Sequence, residues 1–151
     1  MSVVYVTGPN NFAMSTVHSF TGNLPELLMA MAKDDRILIC IAELHNDRYI
    51  QFRVSSARTI IEVVSNQFLH DTNALSTKDE EQLKGLGFEE PSSSQYPNWR
   101  YEVPNPIDIV QIVNIANSSI ASVLHALPGD PVRIKTFEVF SRGKKDELDA
   151  T

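Results

Sequence analysis

Histidine side chains are the first candidates for chemistry in this chain, because histidine can transfer protons near neutral pH and is the commonest metal ligand. The four histidines are His18, His45, His70 and His125. They stand in four separate segments, and no two of them have the spacing of one helical turn that places two ligands on one face. The sequence therefore predicts neither a metal site nor a histidine-based catalytic site.

Three other patterns could carry chemistry but have simpler structural explanations. Glu80-Glu81 and Glu89-Glu90 could supply a general acid and a general base, but such a pair needs unlike surroundings to separate the two pKa values, and both are typical of solvated surfaces. Gly85-Leu86-Gly87 follows a helical pattern, whereas a phosphate-binding loop opens a helix. Cys40 lies in an apolar run, which predicts a buried, unreactive thiol. The sequence therefore predicts a protein without enzymatic activity and without a cofactor.

Length and charge restrict the class of protein. The chain has 151 residues, enough for one core, and a formal net charge of -6 with a pI near 5.1. A nucleic-acid surface needs clustered cations, so nucleic acid is not an expected partner. No apolar run approaches the roughly 20 residues that span a bilayer, and no basic segment precedes a long apolar run at the N-terminus. We therefore expect a cytoplasmic protein that does not bind a membrane.

The first half of the chain predicts one helix and three strands. Asn23, with Glu26 three positions later, is typical of the start of a short amphipathic helix. Strands are predicted at Ile37 to Leu44, Tyr49 to Val54 and Thr59 to Val64. The connections between them are short and polar, which favours tight hairpins and an antiparallel meander. Ser65-Asn66, after the third strand, is expected to turn the chain and to bond backbone groups through its side chains.

The second half predicts two helices and a last strand. Ser76 and Asp79 have the spacing of a helix cap, and glycines follow at the end of that helix. The segment Glu89 to Trp99 is predicted to be a connector. Asn105 is predicted to cap a longer helix. The apolar stripe of that helix is expected to pack on the sheet and contains Ile109, Ile112, Val113, Ala116, Ile120, Val123 and Leu127. Val132 to Phe140 predicts a last strand or an extended arm.

Together these elements predict one α+β domain in which an antiparallel β-meander packs against helices. We expect this domain to occupy residues 23–141. Residues 1–22 have no clean period, so their structure stays uncertain at the level of sequence. Residues 142–151 form a charged C-terminal tail.

The candidate binding residues lie on the face of the meander that its apolar side chains do not use. Alternation in the second strand places Tyr49, Gln51 and Arg53 on this face, and the third strand adds Glu62. Trp99 has two possible roles. It could anchor the core, or its ring and indole N–H could contact a peptide. These five residues are the candidate peptide-binding site.

The order and spacing of several short segments carry a resemblance to a known family. In order, they are Gln51-Phe52, Glu62-Val63-Val64-Ser65-Asn66, Phe68-Leu69, Leu75-Ser76, Leu86-Gly87-Phe88, and Asn98-Trp99 ahead of a long helix. This set, within residues 37–127, resembles the actinobacterial TY-Chap domains. That family is grouped by fold with type III secretion chaperones and YbjN-like proteins and is thought to bind peptides.

The resemblance implies a sheet that offers a surface to an extended peptide or to a second copy of the chain. It implies a non-enzymatic, chaperone-like protein that binds a peptide or protein client and forms a homodimer. A client that binds by strand addition would lie beside the meander. A regulatory or scaffold subunit that binds one fixed folded partner is the alternative, and a small enzyme with an unrecognised site is a third possibility.

Overall fold

The computed structural model describes residues 12–92 and 95–139. In this part of the chain, segments with alternating apolar residues form strands, and segments with a capping residue form helices. The strands are β1 (Ala13–Thr16), β2 (Leu38–Glu43), β3 (Tyr49–Val54), β4 (Arg58–Val63), β5 (Trp99–Pro104) and β6 (Pro131–Glu138). The helices are α1 (Val17–Lys33), α2 (Thr77–Leu86) and α3 (Ile109–Ser118). Shorter turns are the 3₁₀ turns Asn66–Phe68 and Asp71–Asn73 and the π-helical turn Ser119–Val123.

The described strands form one antiparallel sheet in the order β1-β6-β2-β3-β4-β5. The predicted meander is its centre, where Phe52 of β3 lies opposite Cys40 of β2 and Ile61 of β4. Asn46 and Asp47 both have positive φ in the hairpin between β2 and β3, as a tight primed turn requires. β6 pairs with β2 and β5 pairs with β4. The predicted α+β class with an antiparallel meander is confirmed.

The helices cover one face of this sheet. Ile50, Phe52 and Val54 of β3 are fully buried on that face. The ring of Phe20 in α1 lies 6.4 Å from the ring of Phe52. Other buried side chains of α1 and α3 belong to the same core: Leu24, Leu28, Met31, Ile112 and Ala116. Because burying one large apolar side chain contributes about 1.5–3 kcal/mol, this covered face is the main source of stability.

The first helix begins earlier than the sequence predicted. The prediction of Asn23 as its cap is wrong, because Thr16 takes that position and its Oγ1 accepts a hydrogen bond from Ser19 N at 3.2 Å. Asn23 instead lies within the helix, where its Nδ2 donates to Ser19 O at 2.9 Å. Pro25 also lies inside α1. Consequently β1 and the first residues of α1 belong to the segment whose structure the sequence left uncertain.

The last helix is shorter than predicted and begins at a different cap. Asp108 is the cap, since its Oδ1 accepts from Gln111 N at 3.1 Å. Asn105, the predicted cap, donates through Nδ2 to Ser55 O at 3.1 Å and so tethers the loop before α3 to the β3–β4 hairpin. The predicted stripe does reach the core as far as Val123, but Leu127 is 66% exposed and lies beyond the helix.

The second helix and the turn before it match the sequence prediction. Ser76 Oγ accepts from Asp79 N and an Asp79 carboxylate oxygen accepts from Ser76 N, each at 3.0 Å, which is a capping box. Gly87 ends α2 with φ of 104°, and a Cβ there would come within 2.9 Å of the Tyr101 ring. The Asn66 side chain bonds both N and O of Leu75, as expected of a turn residue that satisfies the backbone.

The prediction that the chain before α3 is only a connector is incomplete, because it misses β5. Trp99 and Val103 are buried toward the helices, whereas Glu102 is exposed. The strand lies at the edge of the sheet and ends at Pro104. Proline is unfavourable inside a strand, so its presence weakens the prediction of a strand from sequence. Residues before it do connect α2 to the sheet, and Glu89 forms a bridge with Arg100.

Candidate functional site

The sheet face opposite the helices is the candidate functional surface. Alternation and strand register place on it Met14, Ile39, Ile41, Glu43, Tyr49, Gln51, Arg53, Arg58, Ile60, Glu62, Arg100, Glu102, Arg133, Lys135 and Phe137, with Phe12 just before β1. We call this set the open face. Ile39 and Ile60 are buried but lie outside the core cluster formed with the helices. In the described part of the chain, the helices pack against the covered face of the sheet, and the core cluster lies between them.

Asn98 joins three of the predicted binding residues into one polar network. Its Nδ2 donates to the Tyr49 hydroxyl at 2.9 Å and lies 3.4 Å from Glu62 Oε1. Gln51 Nε2 donates to Glu62 Oε2 at 3.3 Å. Asn98 Oδ1 accepts from the backbone N–H of Ser65 at 3.1 Å. The network therefore holds Tyr49, Gln51 and Glu62 in fixed positions relative to one another.

The Tyr49 hydroxyl has an altered acidity within this network. Desolvation by burial raises its pKa, the hydrogen bond from Asn98 acts in the opposite direction, and the negative charge of Glu62 raises the pKa further. The net direction is upward, so Tyr49 is held as a neutral phenol. A neutral hydroxyl can accept one hydrogen bond from Asn98 and still donate its own proton.

Arg53, the fourth predicted residue, meets this network at a small cavity. The cavity is about 130 Å³ and lies between the central strands and the segment that precedes β5. It is lined by Arg53, Ile60, Glu62, Gln95, Tyr96, Asn98 and Arg100. The guanidinium of Arg100 lies 4.9 Å from the centroid of the Tyr96 ring, a cation–π contact. A single side chain, rather than a whole metabolite, matches a cavity of this size.

Trp99 is separated from the other four predicted residues. It is 2% exposed and belongs to the core cluster on the helical side of the sheet. Of its two possible roles, the structure places it in core packing. Its neighbour Asn98 is the functional candidate that sequence reasoning missed, and the only signal for it was its place in the Asn98-Trp99 pair.

A second cluster on the open face lies at the opposite side of the sheet, on β6 and just before β1. The guanidinium of Arg133 is 3.8 Å from the centroid of the Phe12 ring. Lys135 Nζ is 5.7 Å from the Phe12 ring and 5.8 Å from the Phe137 ring. We call these four residues the basic–aromatic corner. The alternation of Arg133, Lys135 and Phe137 was visible in the sequence, but their pairing with Phe12 depends on the register of β1 and β6.

The histidines that the structure pairs lie away from this face. His125 Nε2 is 2.8 Å from Asp79 Oδ1, and His45 Nε2 is 3.1 Å from Asp130 Oδ2. In residues 12–92 and 95–139, no three side chains of His, Cys, Asp or Glu come together as metal ligands would. No helix in the same part of the chain has the length and hydropathy of a membrane span.

A comparison with models of known protein families gives a match over most of the chain. A family model described as T3SS (YopN, CesT) and YbjN peptide-binding chaperone 3, or TY-Chap3, matches residues 18–127, which is most of the chain. The matched range includes the meander, Asn98 and α3, whereas β1 and β6 lie outside it. No curated protein and no solved structure matches the chain.

Proposed function

We propose that this chain, which belongs to the TY-Chap3 family of peptide-binding chaperones, holds an extended segment of a client protein on its open face. Family membership implies peptide binding as the general function. The site is our proposal, with Tyr49, Gln51, Arg53 and Glu62 as contact residues. The proposed action is binding without catalysis, in the cytoplasm.

The observation that supports this site best is a sheet face that combines apolar and fixed polar groups with no described helix packed on it. Ile39 lies opposite Arg53 and Ile41 lies opposite Gln51 in the pairing of β2 with β3. An extended peptide presents alternate side chains to a pleated surface. An apolar client residue would therefore contact Ile41, which is partly exposed, and the residues on either side of it would meet the polar groups beside Ile41.

The polar network supports the same proposal through its rigidity. Tyr49 and Glu62 already have hydrogen-bond partners in the described structure, so their rotamers are fixed before a client arrives. Ordering a free polar side chain on binding costs about 0.5–1.5 kcal/mol. A surface that is ordered in advance avoids much of this cost, which favours capture of a peptide by several modest contacts.

The sequence analysis expected a client strand beside the meander, but both sides of the meander are already paired within the described sheet. β6 occupies the side of β2 and β5 occupies the side of β4. On β5, Glu89 N donates to Arg100 O at 2.7 Å and Arg100 N donates to Glu89 O at 3.2 Å, so this edge is partly used. We therefore place the client's main contacts on side chains of the open face.

Binding to a peptide array tests the proposal. We expect Gln51→Ala combined with Arg53→Ala to weaken capture by roughly tenfold to thirtyfold, because each lost polar contact is worth about 1 kcal/mol. The matched control is Lys78→Ala combined with Gln82→Ala, which removes a cation and an amide from exposed positions of α2. All three proteins should have nearly the same melting temperature.

Equal binding by the open-face variant and the wild type would move the site elsewhere on the chain. If the wild type captures no peptide at all, peptide capture is ruled out and the scaffold alternative is favoured. Sedimentation of the wild type with and without a captured peptide tests the predicted homodimer. A dimer that dissociates when peptide binds would indicate that a second copy and the client use the same face.

A further inference from the structure

We infer that the open face selects acidic client segments, whose carboxylates bind Arg133 and Lys135 at the basic–aromatic corner. The inference rests on the proposed function and adds the class of client. The corner lies on β6 and just before β1, outside the matched residues 18–127. The preference would therefore be a property of this chain beyond what its family membership implies.

Strand register makes the corner continuous with the proposed contact surface. Arg133 lies opposite Glu43 of β2, Lys135 lies opposite Ile41, and Phe137 lies opposite Ile39. The same β2 residues face β3 on their other side, where Ile41 lies opposite Gln51. A client that lies across β2 and β3 would therefore also reach Arg133 and Lys135 on β6, because β6 is the next strand of the sheet and adjacent strands are only about 5 Å apart.

The rings of Phe12 and Phe137 contact the two cations, and the contact with Phe12 leaves N–H groups of Arg133 able to donate hydrogen bonds. A guanidinium that stacks on an aromatic ring still directs its N–H groups outward in its own plane, which is the geometry that a carboxylate accepts. The nearest described carboxylate, Glu43 Oε1, is 3.7 Å from Arg133 Nε, too far for a direct hydrogen bond. The Arg133 side chain is half exposed, so a client carboxylate can reach it.

The charge of the open face is opposite in sign to that of the whole chain. Its five cations are Arg53, Arg58, Arg100, Arg133 and Lys135. Its three carboxylates are Glu43, Glu62 and Glu102. The chain as a whole has a formal charge of -6. An acidic segment would thus be repelled by most of the surface and attracted to this face, whereas a basic segment would be drawn away from it.

The same charges distinguish a peptide client from a second copy of the chain. A two-fold symmetric contact places the same patch of both subunits together. Such a contact centred on the basic–aromatic corner would bring two copies of Arg133 and Lys135 near each other, and like charges at an interface oppose association. An acidic peptide has the complementary sign, so we commit to it as the occupant of the corner.

Binding of three probe peptides, measured by fluorescence anisotropy at low ionic strength, tests this inference. In the probes, leucine alternates with glutamate, with glutamine or with lysine. The wild type should bind the glutamate probe about tenfold more tightly than the glutamine probe, and the lysine probe most weakly. The preference for glutamate should shrink as salt is added, because these charges are at least partly exposed.

Matched variants locate the effect. Arg133→Gln combined with Lys135→Gln should abolish the preference for glutamate, whereas Lys33→Gln combined with Lys78→Gln, which changes net charge equally on α1 and α2, should retain it. Glu43→Gln removes the carboxylate nearest Arg133 and should strengthen the preference. This last variant adds a gain of binding, which a misfolded protein would not give.

The outcomes separate this inference from the proposed function. Equal binding of the glutamate and glutamine probes by the wild type would overturn the acidic preference while leaving peptide binding intact. Binding of no probe would contradict the proposed function itself. If the α1 and α2 control loses the preference as fully as the corner variant does, overall charge is responsible and the corner is not the site.

Discussion

The covered and open faces of β3 are made from alternate residues of one six-residue strand, yet different interactions fix their side chains. Ile50 and Phe52 are fully buried against the helices and are held by packing. Tyr49 and Gln51 are half-buried and have hydrogen bonds to Asn98 and Glu62 respectively, and Tyr49 also packs against the border of the core cluster. The covered face thus determines whether the chain folds, and the open face presents groups that are ordered without being sealed from a partner.

The largest test of this comparison is a charge placed on the covered side. Ile112→Asp would bury an unpaired carboxylate at a fully buried position of α3, which costs several kcal/mol and is comparable with a typical total stability of about 5–15 kcal/mol. We expect this variant to lose the cooperative thermal unfolding transition, which circular dichroism recorded against temperature would show. Val110→Asp is the control, because Val110 is 70% exposed on the same helix and should tolerate the change. A normal melt for Ile112→Asp would mean that α3 is not a core element.

A smaller effect is expected on the open face from Asn98→Ala. The change removes the acceptor of the buried Ser65 N–H and the donor to Tyr49, and an unsatisfied buried donor costs about 1–3 kcal/mol. Urea unfolding should show this loss, whereas Asn114→Ala at an exposed position of α3 should change stability by about 0.5 kcal/mol or less.

The same variant tests the link between the network and its tyrosine. Since the hydrogen bond from Asn98 lowers the Tyr49 pKa against the effect of burial, its removal should raise that pKa further. Ultraviolet titration of the tyrosines measures this directly, with Tyr49→Phe used to assign the signal. An unchanged or lowered pKa in Asn98→Ala would show that the network does not hold Tyr49 as described.

The smallest expected effect concerns Asp79, a polar group on the covered side. Burial raises its pKa, but hydrogen bonds from Ser76 and His125 outweigh burial, so the folded-state pKa lies below the ordinary value of 3.8. Asp79 therefore stabilises the fold above the unfolded-state pKa, and this contribution is lost as the pH falls through the folded-state pKa.

Asp79→Asn should accordingly lower stability at neutral pH by about 1 kcal/mol or less, because it removes a negative charge from the first turn of α2, and should make stability less sensitive to pH below about 4. Urea unfolding across that acidic range measures both effects. Glu81→Gln, an exposed change on the same helix, is the control and should leave the profile unchanged. A steeper acid loss in Asp79→Asn would contradict the assigned direction of the pKa.

Local signals account for the elements that the sequence predicted correctly. β3 has its predicted bounds because alternation and two polar hairpins define it within a few residues. The capping box of α2 is also local. The start of α1 was missed because Asn23 offers a cap pattern inside the helix. Thr16 caps the helix through its own side chain, and the pairing of β1 with β6 precedes that cap.

Contacts between distant residues explain why only part of the candidate site was predicted. Alternation alone placed Tyr49, Gln51 and Arg53 on one face. Asn98 was missed because its partners Ser65 and Tyr49 are 33 and 49 positions away, and nothing in the chain between them marks the contact. Likewise, the basic–aromatic corner depends on two strands from opposite ends of the described chain.

The central position of the meander has a consequence for aggregation. Exposed sheet edges are templates on which strands of other molecules can grow into fibrils, and proteins limit this with short strands, bridges and proline. Here the apolar strands are interior, β1 at one edge is four residues long, and β5 at the other is bridged by Glu89 and ends at Pro104. These features limit the addition of further strands at both edges of the described sheet.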